Sequence, residues 1–152
     1  AGRLLLDDQH EAGAIVDAGS TGTAVIILTS NVTVRGLTIR GSGTRGESFD
    51  SGVYIEQGAD HVTVEDNRLE GNLFGIVLHG SKFATVRRNH IANRSDLWPN
   101  DRGNGIHIWN NNGTLIDGNT VTSGRDGIYI EISHGNVIRA NRFEGLRFAV
   151  HY

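Results

Sequence analysis

A Gly-aliphatic-x-aliphatic segment recurs along this chain at Gly52-Val53-Tyr54-Ile55, Gly75-Ile76-Val77-Leu78, Gly105-Ile106-His107-Ile108 and Gly127-Ile128-Tyr129-Ile130, and Ala149-Val150-His151-Tyr152 begins a fifth copy. The first residues of these copies are 23, 30, 22 and 22 positions apart. A second element follows each complete copy and carries Asn at a fixed slot: Asn67, Asn89, Asn119 and Asn141, spaced by 22, 30 and 22. Val34-Arg35-Gly36-Leu37-Thr38-Ile39 fits the same frame with Leu37 in the Asn slot. Self-similarity at this period is the mark of a solenoid or repeat array. Inside each copy the apolar residues alternate with period two, which is a strand signal, and no segment sustains the i, i+3, i+4, i+7 spacing of a helical repeat. About 22 residues suffice for three short strands and three turns. The expected fold is therefore all-β, a single-stranded right-handed parallel β-helix with about 22 residues per coil, because parallel crossovers are right-handed in nearly all cases.

The repeated residues have a physical role in such a coil. The aliphatics flanking each x position point inward and stack on their equivalents in the next coil, ~4.8 Å away. The Asn slot predicts an inward ladder of amides that bond backbone groups left unpaired at a corner. The leading Gly predicts a corner where a Cβ would clash or φ must be positive. Two corners are enlarged, one by Gly41 to Asp50 and one by Asn93 to Gly103, both between the Asn strand and the next Gly strand. They leave the same edge of the solenoid two coils apart, and insertions on one face of a repeat protein often mark its binding face.

On the Gly strands the x positions face outward. The first outward column is Tyr54, Val77, His107, Tyr129 and His151; the second is Glu56, His79, Trp109 and Glu131. A contiguous band of exposed aromatics and imidazoles suggests a partner, a sugar ring or an interface. The expected partner-binding residues are Tyr54, His79, His107, Trp109, Tyr129, Glu131 and His151, with Trp98 from the second enlarged corner. Cross-strand stacking that only stabilises the sheet is the plainer reading of the same columns. Imidazoles also ligate transition metals, and His79 and His107 fall in adjacent coils and adjacent columns, which makes them the candidate metal ligands. His10, His61, His90 and His134 fall at turns or strand ends and are expected on the surface.

Composition narrows the functional classes. The 152 residues carry a formal charge of −3, so no basic footprint for nucleic acid exists, and no apolar run approaches the length of a membrane span. Cys and Met are both absent, which removes a disulfide framework and the soft ligands that Cu(I) prefers. The missing Met, the N-terminal Ala-Gly-Arg without signal-peptide anatomy, and a last strand that stops without a cap are read as one partial β-helix domain over residues 1–152, truncated at its C-terminus. The uncapped end is expected to favour self-association. An acid–base site for a lyase- or epimerase-like reaction on acidic polysaccharides would need clustered carboxylates with a basic residue. Glu56, Glu131, Asp101 and Asp126 are available with Arg102 and Arg125 nearby, but none forms a compact run, and the Asp-Pro-His string of alginate epimerases is missing. The expectation is a non-catalytic chain, with a carbohydrate-binding or polysaccharide-active β-helix as the alternative.

Several strings resemble the NosD family: Arg102-Gly103-Asn104-Gly105-Ile106-His107-Ile108-Trp109-Asn110, Gly124-Arg125-Asp126-Gly127-Ile128-Tyr129-Ile130, Leu146-Arg147-Phe148-Ala149-Val150-His151-Tyr152, Arg35-Gly36-Leu37-Thr38-Ile39-Arg40-Gly41-Ser42-Gly43 and Asn72-Leu73-Phe74-Gly75-Ile76. The resemblance runs from about Ala14 to Tyr152. It implies a periplasmic β-helix accessory protein in the maturation of the copper site of nitrous oxide reductase. Its implied partners are an ABC transporter permease and a copper-carrying lipoprotein; copper is the implied metal, with no cofactor held tightly. The resemblance implies that the whole protein carries a signal peptide and several further coils, of which this sequence is expected to be a piece. The family supplies no agreed catalytic set, so the site residues above rest on the outward-face argument.

Overall fold

The computed structural model describes the backbone of residues 4–7 and the whole of residues 13–152. Among the described residues the chain forms three parallel sheets of six strands each, with every hydrogen-bonded neighbour one coil away in sequence. One coil runs through Thr63–Glu65, Arg68–Glu70 and Phe74–His79; the next runs through Thr85–Arg87, His90–Ala92 and, after the second enlarged corner, Ile106–Trp109. The register reproduces the sequence period. Val86 pairs with Val64 and with Ile116, and Ile106 with Ile76 and Ile128.

Inward positions stack as aliphatic columns with no solvent contact: Val64, Val86 and Ile116 in one sheet, Leu69, Ile91 and Val121 in the second, Ile76, Ile106 and Ile128 in the third. Each such side chain contributes on the order of 2 kcal/mol by leaving water.

The Asn ladder closes one corner. The Nδ2 groups of Asn67, Asn89, Asn119 and Asn141 donate to the carbonyls of Val34, Val64, Val86 and Ile116 at 2.9–3.0 Å. Their Oδ1 atoms accept from the backbone N–H of Leu37, Asn67, Asn89 and Asn119. Leu37 ends the ladder because its N–H donates to the Asn67 amide oxygen while its own side chain has no amide to offer. The residue before each slot turns the chain with positive φ, whether it is Gly36, Asp66, Arg88, Gly118 or Ala140.

The leading glycines serve a different purpose. Gly52, Gly75, Gly105 and Gly127 do not adopt positive φ. A Cβ on any of them would stand within 3 Å of backbone or core atoms of the neighbouring strands, such as Gly75 against Ile91 Cγ2 at 2.6 Å. Close packing, and not a left-handed turn, excludes a side chain there. Among the described residues no helix is long and apolar enough to cross a membrane.

Candidate functional site

Both enlarged corners fold back over the outer face of the third sheet. The first is tied down where Ser42 N–H donates to Asn72 Oδ1 at 3.1 Å and Leu73 N–H donates to Ser42 Oγ at 2.8 Å. It then turns at Phe49, whose φ is 51°, and lays that ring over the sheet. The second is braced from inside: Arg102 donates to the Leu97 and Ser95 carbonyls at 2.8 and 2.7 Å, and Asn93 Nδ2 donates to the Asn104 carbonyl at 2.9 Å. Phe49 and Leu97 thereby meet Leu73, Phe74 and Val77 in a second apolar cluster outside the coil.

This cover changes the first outward column. Val77 and His107 point away from the coil, as expected, but they are buried at 2% and 7% exposure and do not face solvent. Phe49 from the first corner and Phe74 from the neighbouring strand account for the burial of His107, their ring centroids lying 5.0 and 5.7 Å from its imidazole. Burial pushes the His107 ring down to about 4, so it is neutral near pH 7. Asn104 Nδ2 lies 3.0 Å from Nδ1, and with the amide as donor the ring proton sits on Nε2.

The remaining outward residues form two ladders. Tyr129 stacks on His107 at 5.0 Å and meets His151 edge-on at 4.8 Å. In the second column His79 stacks on Trp109 at 4.3 Å with planes 7° apart, and Tyr54 Oη bonds His79 Nδ1 at 3.0 Å. Glu56 approaches the same nitrogen at 3.6 Å. Glu131 is exposed and in register with Trp109. Trp98 stands apart at the tip of the second corner, 81% exposed. His61, His90 and His134 are on the surface; His10 lies outside the described residues.

The proposed pair of metal ligands is not assembled as a pair. His79 Nδ1 is engaged by Tyr54 and His107 Nδ1 by Asn104, with His107 beneath two phenyl rings. Among the described residues no group of three or more His, Cys, Asp or Glu side chains could hold a metal ion. With no thiol or thioether in the sequence, the donor set among the described residues does not fit a resident copper centre.

A cleft of about 320 Å³ opens where the second corner meets the Gly-strand face, lined by Arg102, Asn104, His107, Arg125, Tyr129 and Glu131 among others. At one end Asp126 is almost fully buried and bound by Arg147 through two contacts at 2.9 and 2.7 Å, with His151 Nδ1 at 2.9 Å. Burial pushes the Asp126 carboxyl up, but the Arg147 and His151 contacts outweigh it and hold the group below its ordinary value. Reading the outward columns alone misses Phe49, Asn104 and Asp126 as parts of this region. The signal available was the Arg-x-Gly spacing of Arg125 and Gly127, one coil before Arg147 and Ala149.

The family profile described as "Right handed beta helix region" matches residues 15–152. The chain belongs to the right-handed β-helix family. It is 37% identical over 131 residues to a Pseudomonas aeruginosa PAO1 protein named "Probable ABC transporter binding protein NosD", which covers 84% of this chain and 31% of that protein. A Stutzerimonas stutzeri protein of the same name is 34% identical over 117 residues, covering 77% of this chain and 27% of the relative. The chain thus spans less than a third of the length of the curated relatives it matches. A crystal structure of a candidate glycosyl hydrolase from Parabacteroides merdae ATCC 43184 superimposes with a TM-score of 0.47 at 11% identity, covering 91% of this chain and 82% of the other. The NosD-like character expected from the motifs is borne out by the two relatives.

Proposed function

We propose that this β-helix is part of a periplasmic, non-catalytic accessory protein that works with an ABC transporter in maturing the copper site of nitrous oxide reductase. The observation that carries the reading is the similarity to two NosD proteins over most of this chain. The outer face supports it: Tyr54, His79 and Trp109 form a preorganised aromatic–imidazole strip, and Trp98 is exposed separately at the tip of the second corner. Rigid aromatics with a polar edge suit the centre of a protein–protein contact. Copper in this reading is cargo of the partners, the transporter permease and a copper-carrying lipoprotein, and this chain serves as docking surface.

The test is retention of the detergent-solubilised transporter on the immobilised chain. Wild type is expected to retain it, and the double variant His79→Ala, Trp109→Ala to weaken retention at least about tenfold. Equal retention by folded wild type and variant overturns the assignment of this strip.

A further inference from the structure

From Asp17 onward every strand carboxylate but one meets an arginine. Asp17 meets Arg40 at 2.8 Å, Glu65 meets Arg87 at 2.6 Å, Glu70 meets Arg68 at 2.9 Å, Asp117 meets Arg139 at 3.0 Å, Asp126 meets Arg147 at 2.7 Å and Glu144 meets Arg142 at 3.3 Å. The exception is Glu131, which is exposed and makes no ion pair among the described residues. Glu56 lies in the same outward column of the third sheet and has no arginine or lysine either. The ionisable group it approaches is His79, 3.6 Å away and already bonded by Tyr54, and its own side chain keeps 44% exposure. The two outward columns of this sheet contain no Lys or Arg at all.

The register sets these carboxylates into an apolar strip. Ile27 pairs with Ile55, so Leu28 stands beside Glu56; Ile55 pairs with Leu78, His79 with Trp109, and Trp109 with Glu131. The column therefore runs Leu28, Glu56, His79, Trp109, Glu131 over five coils, about 19 Å. Apolar surface accompanies it along its length, with Ile26 57% and Leu28 71% exposed at one end and Ile132 65% exposed just past Glu131. On the other side Phe49 covers His107 and bounds the strip. An exposed apolar band of this extent marks a contact site, and carboxylates without a cation of their own select the charge of what makes the contact.

We propose that this strip docks an amphipathic helix of a partner protein, with apolar side chains over Leu28, His79 and Trp109 and a Lys or Arg at each end for Glu56 and Glu131. The inner strands of the sheet are paired with a neighbouring coil on both sides, so an added strand finds no free backbone on this face. A helix fits the spacing. Its turn of about 5.4 Å nearly matches the coil repeat of about 4.8 Å, so side chains on one helix face fall on successive coils. Glu56 and Glu131 are three coils apart, about 14 Å, which a helix spans in about ten residues. The inference rests on the docking role given to Tyr54, His79 and Trp109 above and states the chemistry of what docks there.

The experiment measures fluorescence anisotropy of two labelled synthetic helices of about 16 residues against the 152-residue chain. Both carry the same leucine and tyrosine face; one has lysines about ten positions apart beside that face, the other glutamates. The lysine helix is expected to bind saturably and to weaken as salt is raised, and the glutamate helix to bind at least about tenfold more weakly. The double variant Glu56→Gln, Glu131→Gln, folded by circular dichroism, is expected to weaken the lysine helix at least about tenfold and to flatten its salt dependence. Trp109→Ala is expected to weaken it while keeping the salt dependence. Glu70→Gln with Glu144→Gln makes the same change of net charge on the second sheet and is expected to leave the affinity within about twofold. Equal binding of the two helices, unchanged affinity in the Glu56 and Glu131 variant, or an equal loss in the second-sheet variant overturns the proposal. Transporter retention by the His79→Ala, Trp109→Ala variant is read separately. Helix binding can fail while the strip still docks the transporter, and can hold where no transporter is retained.

Discussion

Acidification should loosen this molecule at His107. The imidazole is buried beneath Phe49 and Phe74 and ionises only near pH 4, against an ordinary value of 6.5. In the unfolded chain the ring takes up a proton as the pH falls through about 6.5, while the folded chain refuses it until about pH 4. The stabilisation is thus complete above the unfolded value and is lost as the pH falls between the two. The full gap corresponds to about 3 kcal/mol, and at about pH 5 roughly 2 kcal/mol of it is already gone. Urea unfolding of wild type and His107→Gln at about pH 7.5 and about pH 5 isolates the effect, because other titrating groups are common to both. Wild type is expected to lose about 2 kcal/mol more than the variant. Ring-proton NMR should show the His107 midpoint near pH 4. A midpoint near 6.5, or equal losses in the two proteins, refutes the claim that Phe49 and Phe74 shield this ring from water.

Two further outcomes test the coil itself. Asn119→Leu removes a buried amide whose Nδ2 bonds the Val86 carbonyl and whose Oδ1 accepts from Asn89 N–H. It leaves both backbone groups unpaired and is expected to cost about 2–4 kcal/mol in chemical denaturation. Gly105→Ala forces a Cβ into Val121 and the Gly127 carbonyl, and is expected to lower the thermal midpoint by an amount equivalent to about 1–3 kcal/mol or more.

The winding was legible because each coil repeats its instructions. Period-two alternation assigns inside and outside along a strand, and the Asn spacing of 22, 30 and 22 reappears unchanged as strand register. The Asn ladder and the close-packed glycines follow from the same pattern, although the pattern left open whether φ or packing required Gly. The outward strip of Tyr54, His79 and Trp109 was legible for the same reason. The buried state of His107 was not, because alternation says which way a side chain leaves its own strand and nothing about what lands on it afterwards. Phe49 and Leu97 reach the sheet through turns that carry no period.

The chain's local order, one amino acid in and the next out, with a fixed residue at each corner, decided by itself that the polypeptide would wind into parallel coils, since only that arrangement stacks equal residues on equal residues. Tertiary structure decided which outward groups stay in water and which are left short of a partner. Arg125 differs from Arg147 only through what stands opposite it in the neighbouring coil, Asn104 in place of Asp126. That comparison exists only after coils are laid in register, because the two members of each pair lie 21 positions apart along the chain.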